Sequence, residues 1–248
     1  MTPLDLTHHR LAVMCGRIAL YDEPDALARL FDAGLDPDLI DKWQPKWSVG
    51  PTDPILGVFE RQGHRTIASF RWGLVPGWTK DPTQLRSTFN ARGETVATKP
   101  AFREAFKRWR ILVPVDAFYE WHTKGPKQKQ PYAFTRADGE PVVMAGLREY
   151  WKGDDGTVLR TATIITTEAG PDMPIHNRQP VVLERDNWEH WLDPDVTDRE
   201  ELEPLLVPTA EGTLVHHPVS KDVGNVRNNG PELVEAIALE GDPGQNSL

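Results

Sequence analysis

Ile55-Leu-Gly-Val-Phe59 and Thr66-Ile-Ala-Ser-Phe70 stand on either side of Arg61-Gln-Gly-His64, and this stretch decides the fold class. Two apolar runs of strand length, separated by a short polar turn that contains glycine, specify an antiparallel hairpin. Outward from it, similar runs occupy Arg110–Val115, Tyr132–Thr135, Val142–Leu147 and Thr161–Thr166. Ala137-Asp-Gly139 and Gly153-Asp-Asp-Gly156 read as further hairpin turns, so a β meander is expected in the middle of the chain. Helical spacing appears at Asp25–Phe31, at Ala101–Lys107 (Phe102, Ala105 and Phe106 on one face) and at Asp186–Leu192 (Trp188, Trp191 and Leu192). Pro231–Ala236 is a weaker helical pattern. Strands in the centre with helices outside predict an α+β fold. One domain is expected, a curved, barrel-like and mostly antiparallel sheet surrounded by short helices.

The chain of 248 residues, 39% hydrophobic, is long enough for a substantial core, and its 19 Gly and 22 Pro give no disordered or collagen-like bias. No apolar run approaches the roughly 18–20 residues that cross a bilayer, so no membrane association is expected. The start, Met1 to Val13, contains Asp5 and no continuous apolar core of a signal peptide, which predicts a cytoplasmic protein. The net charge of −9 argues against general coating of nucleic acid while allowing a local basic groove. Glu184–Glu203 is acidic and reads as a solvated face.

A single cysteine, Cys15, excludes an internal disulfide and a Cys-rich zinc site, leaving either an inert core thiol or a reactive group. Glu120 lies within Phe118-Tyr-Glu-Trp121, directly after an apolar strand. A carboxylate buried in such a frame has its ionised form disfavoured and suits proton transfer near neutral pH; a strand-end acid paired with an arginine fits the pattern equally well. His176 lies on a loop after a strand, where functional residues concentrate, though a lone loop histidine is more often structural. His8-His9 and His216-His217 have no ligand set at zinc spacing, so no metal is predicted. The Gly-rich nucleotide-binding patterns and the Gly-x-Ser-x-Gly pattern are absent from the sequence, so no cofactor is predicted.

Six segments taken in order resemble one family. They are Met14-Cys-Gly-Arg17, Trp72-Gly-Leu-Val-Pro-Gly-Trp78, Phe89-Asn-Ala-Arg-Gly-Glu94, Leu112-Val-Pro-Val-Asp-Ala-Phe-Tyr-Glu-Trp121, Pro174-Ile-His-Asn-Arg-Gln-Pro-Val-Val-Leu183 and His217-Pro-Val-Ser-Lys-Asp-Val-Gly-Asn-Val226. Together they resemble the SOS-response-associated peptidase family over Met14 to about Leu233. The resemblance implies recognition of abasic sites in single-stranded DNA and a covalent thiazolidine link to them through Cys15. It implies that Asn90 positions the nucleophile, that Glu120 moves protons beside its α-amine and that His176 assists opening of the abasic sugar. Arg17 and Arg92 correspond to family residues that hold phosphates, Pro51 to one that sits against a base, and Trp78 to a stacking wedge. The chain departs from the family pattern at Ser48 and Thr79.

That chemistry needs an amine and a thiol on adjacent carbons, which only an N-terminal cysteine offers. Residues 1–13 are therefore expected to be an extension ahead of the natural start at Met14, residues 14–240 the catalytic domain and residues 241–248 a tail. The partner implied is single-stranded DNA with abasic sites, bound by a monomer. Two other readings remain at this point. A thiol peptidase using Cys15, His176 and Asn90 would turn over peptides, and a non-covalent single-strand binder would not need Cys15.

Overall fold

The computed structural model describes residues 16–84, 88–125 and 128–239. Cys15, Met14, the extension over residues 1–13 and the tail over 241–248 lie outside the described residues. The strands are β1 (Ile18–Leu20), β2 (Ala33–Leu35), β3 (Lys46–Val49), β4 (Pro54–Arg61), β5 (His64–Trp72), β6 (Asn90–Arg92) and β7 (Arg110–Val115). They continue as β8 (Ala117–Gly125), β9 (Gln128–Arg136), β10 (Val142–Lys152), β11 (Val158–Glu168), β12 (Arg178–Pro180) and β13 (Leu214–Pro218). The helices are α1 (Pro24–Phe31), α2 (Pro37–Ile40), α3 (Gly93–Val96), α4 (Arg103–Arg108), α5 (Trp188–Leu192) and α6 (Arg199–Leu202).

The hairpin that opened the sequence reading is β4–β5, paired antiparallel from Pro54↔Arg71 to Arg61↔His64. Its two-residue turn needs positive φ at both central positions, and Gln62 and Gly63 adopt 55° and 74°. From this hairpin the sheet runs β5-β4-β7-β10-β11, and β11 pairs back onto β5 at Thr161↔Arg71 and Ala162↔Trp72. That last pairing closes a five-stranded barrel and removes two sheet edges. β2, β6 and β12 extend it, and β2 and β6 attach in parallel. The lumen is filled by Ile55, Phe70, Trp72, Ile111, Val113, Met144 and Ile164. At Gly146 the lumen has no room for a side chain, because a Cβ there would meet Val113 at 2.8 Å.

A second, five-stranded sheet runs β13-β9-β8-β1-β3. Phe118, Phe134, Ile18 and Leu214 from this sheet join the same core cluster as the barrel lumen. On the outside of the barrel, Leu112, Ala145 and Leu147 pack under α1, α4 and α5 through Leu27, Phe31, Phe106 and Trp191. The α+β, single-domain architecture agrees with the sequence expectation.

Four details differ from it. The middle of the chain is not a meander: at Asp116 the chain leaves the barrel (β7) and enters the second sheet (β8). The corner is held by the Asp116 carboxylate, which accepts from the Tyr21 and Asp22 amides at 2.6 and 3.2 Å, and burial pushes its pKa up to about 7. Ala137-Asp-Gly139 is a turn but not a hairpin turn, since β9 pairs with β8 and β13 while β10 pairs with β7 and β11. Pro231–Ala236 shortens to a 3-10 turn over Pro231–Leu233, whose three residues anchor Leu233 in a small cluster with Tyr119 and Val223. The segment Asp186–Leu192 likewise starts as a 3-10 turn (Arg185–Asn187) before becoming α5. Among the described residues no helix is long and apolar enough to cross a membrane.

Candidate active site

Glu120, Asn90 and His176 come from the second sheet and from the β6, β11 and β12 segments of the barrel side. β1 and β8 pair antiparallel at Ile18↔Phe118 and Ala19↔Ala117, and the Tyr119 amide donates to the Arg17 carbonyl at 2.9 Å. The same register, carried to the next pairs, sets Gly16 level with Glu120. Gly16 is the described residue that follows Cys15. Glu120 is only 3% exposed, although it sits near the end of an otherwise apolar run, and it lies directly across from Tyr132 on β9. Tyr119 points to the opposite face, where its hydroxyl donates to the Trp47 carbonyl at 2.8 Å.

Asn90 begins β6, which lies parallel along β11 with Asn90 opposite Ile164. The preceding residue, Phe89, is fixed three ways. Its carbonyl accepts from the Trp72 indole N–H at 2.8 Å and from the Ile164 amide at 3.1 Å, and its ring meets Trp72 edge-on at 6.1 Å. His176 lies on the loop between β11 and β12, and its neighbour Ile175 packs on the same core cluster as Phe89 and Tyr132. One cluster thus backs the segments of Asn90, Glu120 and His176. The Arg178 amide donates to Nδ1 of His176 at 3.2 Å, so the neutral ring carries its proton on Nε2. Burial lowers the imidazole pKa, and the Arg178 charge lowers it further.

Arg178 was not singled out by the sequence reading, and the structure gives it a central place. Its guanidinium grips Glu94 with two bonds of 2.6 and 2.9 Å and donates to the Thr166 carbonyl at 2.8 Å. This fork ties the His176 loop to the segment that carries Asn90 and Arg92. Hydrogen bonding from Arg178 holds the Glu94 carboxyl below its ordinary pKa. Arg92 is exposed at the residue preceding α3, opposite Thr166.

Arg17 is half-buried beside β3. Its Nη2 donates to the Gly224 carbonyl at 3.1 Å, while Nε and Nη1 are buried with no hydrogen-bond partner among the described residues. Gly50 leaves room for it, since a Cβ there would stand 3.0 Å from Nη1, and Pro51 follows directly. Burial lowers the Arg17 pKa, and Asp53 partly offsets this. Each buried polar atom left without a partner costs about 1–3 kcal/mol. Trp78 is 68% exposed on a loop that the Trp151 indole anchors by donating to the Thr79 carbonyl at 2.6 Å. Ser48, one of the two departures, is buried and donates to the Val223 carbonyl at 2.9 Å. A cavity of about 710 Å³ lies elsewhere, between Trp43, Leu56 and Arg160, and none of the candidate residues lines it. Among the described residues no group of three or more His, Cys, Asp or Glu is placed to hold a metal.

The sequence profile of the SOS response associated peptidase (SRAP) family matches residues 14–226 of this chain. The abasic site processing protein YoqW of Bacillus subtilis is 36% identical over 225 residues, covering 90% of this chain and all of that protein. YedK of Escherichia coli, also named an abasic site processing protein, is 31% identical over 231 residues with the same coverage. The protein of that name from Xenopus tropicalis, HMCES, is 31% identical over 269 residues, covering 91% of this chain and 79% of its own length. A crystal structure of a protein from Bacteroides thetaiotaomicron superposes with a TM-score of 0.82 at 24% identity, over 90% of this chain and all of that one, and shares the fold. With a profile match across most of its length and relatives of this similarity, the chain belongs to the SOS response associated peptidase family.

Proposed function

We propose that this protein recognises abasic sites in single-stranded DNA and links itself to them through Cys15, acting as the first residue of the mature chain. The observation that carries the proposal is the pairing of β1 with β8, which brings the chain just after Cys15 level with the buried Glu120. The family match begins at residue 14, as the proposed start at Met14 requires. The open-chain aldehyde of an abasic sugar accepts the α-amine, losing water to form an imine, and the thiol then adds to the imine carbon to close a five-membered thiazolidine. No oxidant, metal or leaving group other than water is needed. Glu120 takes a proton from the attacking amine and returns it to the departing hydroxyl, and His176 donates from Nε2 to the sugar ring oxygen. Asn90 positions the nucleophile. Arg17 and Arg92 hold phosphates, which fixes the strand without reading sequence. Pro51 lies against a base, and Trp78 stacks on another, so single strands are preferred to intact duplex.

The test uses a chain beginning at Met14 and a single-stranded oligonucleotide with one abasic site. A band that survives a denaturing gel is expected, with none from the same oligonucleotide carrying an intact base. Binding that denaturant always reverses would overturn the proposal.

A pH profile follows from the His176 environment. The reaction needs a neutral α-amine, whose ordinary pKa is about 7.7–8.0, together with a protonated His176, whose pKa burial lowers below the usual 6.5. Below both values the rate rises with pH as the amine loses its proton. Between them gain and loss cancel in a plateau, and above the amine pKa the rate falls as protonated imidazole runs out. His176→Gln should remove the alkaline fall and leave only the amine titration. Initial crosslinking rates from pH 5 to 9 check this, and an unchanged alkaline fall would exclude His176 as the acid.

A further inference from the structure

The face of the second sheet that carries Glu120 continues outward as a row of aromatic rings that the proposed reaction does not use. Glu120 faces Tyr132 directly across β8–β9, and His122 faces Gln130 one step further along. Across β9–β13, His216 faces Phe134. Residues directly opposite, or two apart on one strand, share a face, so Phe118, Glu120 and His122 line up beside Phe134, Tyr132 and His216. The rings touch. His216 stacks on Phe134 at 5.1 Å and 23°, Tyr132 meets His216 at 5.8 Å and His122 at 6.4 Å, and Phe118 stacks on Phe134 beneath them at 5.0 Å and 14°. The inner pair is buried, Tyr132 and His122 are half-buried, and His216 is exposed.

We infer that Tyr132, flanked by His122 and His216, is the stacking platform for an unpaired base next to the abasic nucleotide. This rests on the proposed function and adds a binding surface to it. Three features favour a base as the occupant. The platform begins directly across the strand pair from Glu120, about 5 Å away at the backbone, so a nucleotide adjoining one whose sugar reacts there falls onto it. In a chain of net charge −9, the β8, β9 and β13 residues of this row present no carboxylate other than Glu120. His216 is backed by Phe134, itself stacked on Phe118, and Tyr132 packs on the same core cluster, so little side-chain freedom is lost on binding. Burial keeps the His216 pKa below its ordinary value against the pull of Asp172, whose carboxylate is occupied by the Gly212 and Leu214 amides at 3.0 and 2.9 Å.

The experiment uses single strands carrying a tetrahydrofuran abasic analogue, which has no aldehyde, with 2-aminopurine on the 5′ or the 3′ side. Stacking on an aromatic ring quenches 2-aminopurine emission. The wild-type chain should quench the probe on one side. Tyr132→Leu, which keeps the apolar contact to the core, and His216→Ala, at an exposed position, should relieve that quenching, and Tyr132→Leu should weaken binding about tenfold, the size of one base–aromatic stack. Equal quenching in wild type and both variants, with crosslinking to a true abasic site intact in the wild type, overturns the platform alone. A wild-type chain that neither binds nor crosslinks abasic strands overturns the proposed function and the platform together.

Discussion

Cys15→Ala should abolish the denaturant-resistant adduct outright, and a chain that retains residues ahead of Cys15 should fail just as completely. The two variants remove different halves of one chemical requirement. Alanine keeps the α-amine, so an imine still forms with the aldehyde, but an imine hydrolyses and will be trapped only if a hydride reductant is added. With residues ahead of Cys15 the thiol remains, yet its nitrogen is an amide whose lone pair is delocalised into the carbonyl and cannot attack. The thiol alone gives a hemithioacetal, which reverts when the DNA is denatured. Cys15→Ser is a stricter control than Ala, because a hydroxyl at the same position is a far poorer nucleophile towards the imine carbon at neutral pH. Borohydride should rescue the Ala and Ser adducts and leave the extended chain without one. A stable adduct from Cys15→Ala without reductant would show that another residue is the nucleophile.

In the proposed reading, the fold keeps this chemistry on rigid parts. A closed barrel cannot fray at its edges, and its lumen shares a core with the inner face of the second sheet, so the segments of Glu120, Asn90 and His176 are referenced to one packed cluster. The Arg178 fork onto Glu94 adds a lateral tie between the one loop residue of the set and the β6 segment. Arg17 is the complementary case: two of its guanidinium nitrogens are buried without a hydrogen-bond partner among the described residues.

The sequence made some of this legible and hid the rest for physical reasons. The β4–β5 hairpin was readable because Gln62-Gly63 sits between two strand-length apolar runs, a local signal. The transfer between sheets at Asp116 was not, since β7 is buried throughout and β8 opens with a continuous apolar run, and nothing local says which partner each will take. β1, β2, β6 and β12 have three residues each, too few to show a period. Glu120 and His176 stood out as polar residues inside apolar or turn-rich frames, whereas Asn90 entered only through the family resemblance. Arg178 lay two positions from His176 in the same quoted segment, but its role depends on Glu94, 84 positions away, which no spacing rule links to it. The Tyr132–His216 contact is likewise a product of strand register, not of neighbouring sequence.

Arg110→Met should cost about 3–5 kcal/mol of stability, because several buried main-chain carbonyls lose their donor at about 1–3 kcal/mol each. Arg110 opens β7 and is 4% exposed, and among the described residues its guanidinium hydrogen-bonds no carboxylate, although the Asp193 charge partly offsets its burial. Instead it donates to five main-chain carbonyls: Trp191 at 2.6 Å, Phe106 at 3.0 Å, Lys107 at 2.8 Å, Val196 at 2.8 Å and Asp193. These carbonyls belong to the last turns of α4 and α5 and to the chain leaving α5, groups that a helix cannot satisfy internally and whose dipoles favour a cation. Burial lowers the pKa to about 10, still far above neutrality, so the charge is present under all ordinary conditions. Methionine fills much of the volume but leaves all five oxygens without a donor, in a place that water reaches poorly. At roughly 2–4 °C per kcal/mol for a chain of this size, the melting temperature should fall by about 6–20 °C. Arg110→Lys separates charge from geometry, because a single ammonium can reach at most three of the five oxygens and should recover less than half of the loss. A methionine variant melting within about 2 °C of the wild type would mean that α4 and α5 are held by the Phe106–Trp191 packing alone, with the guanidinium contributing nothing net.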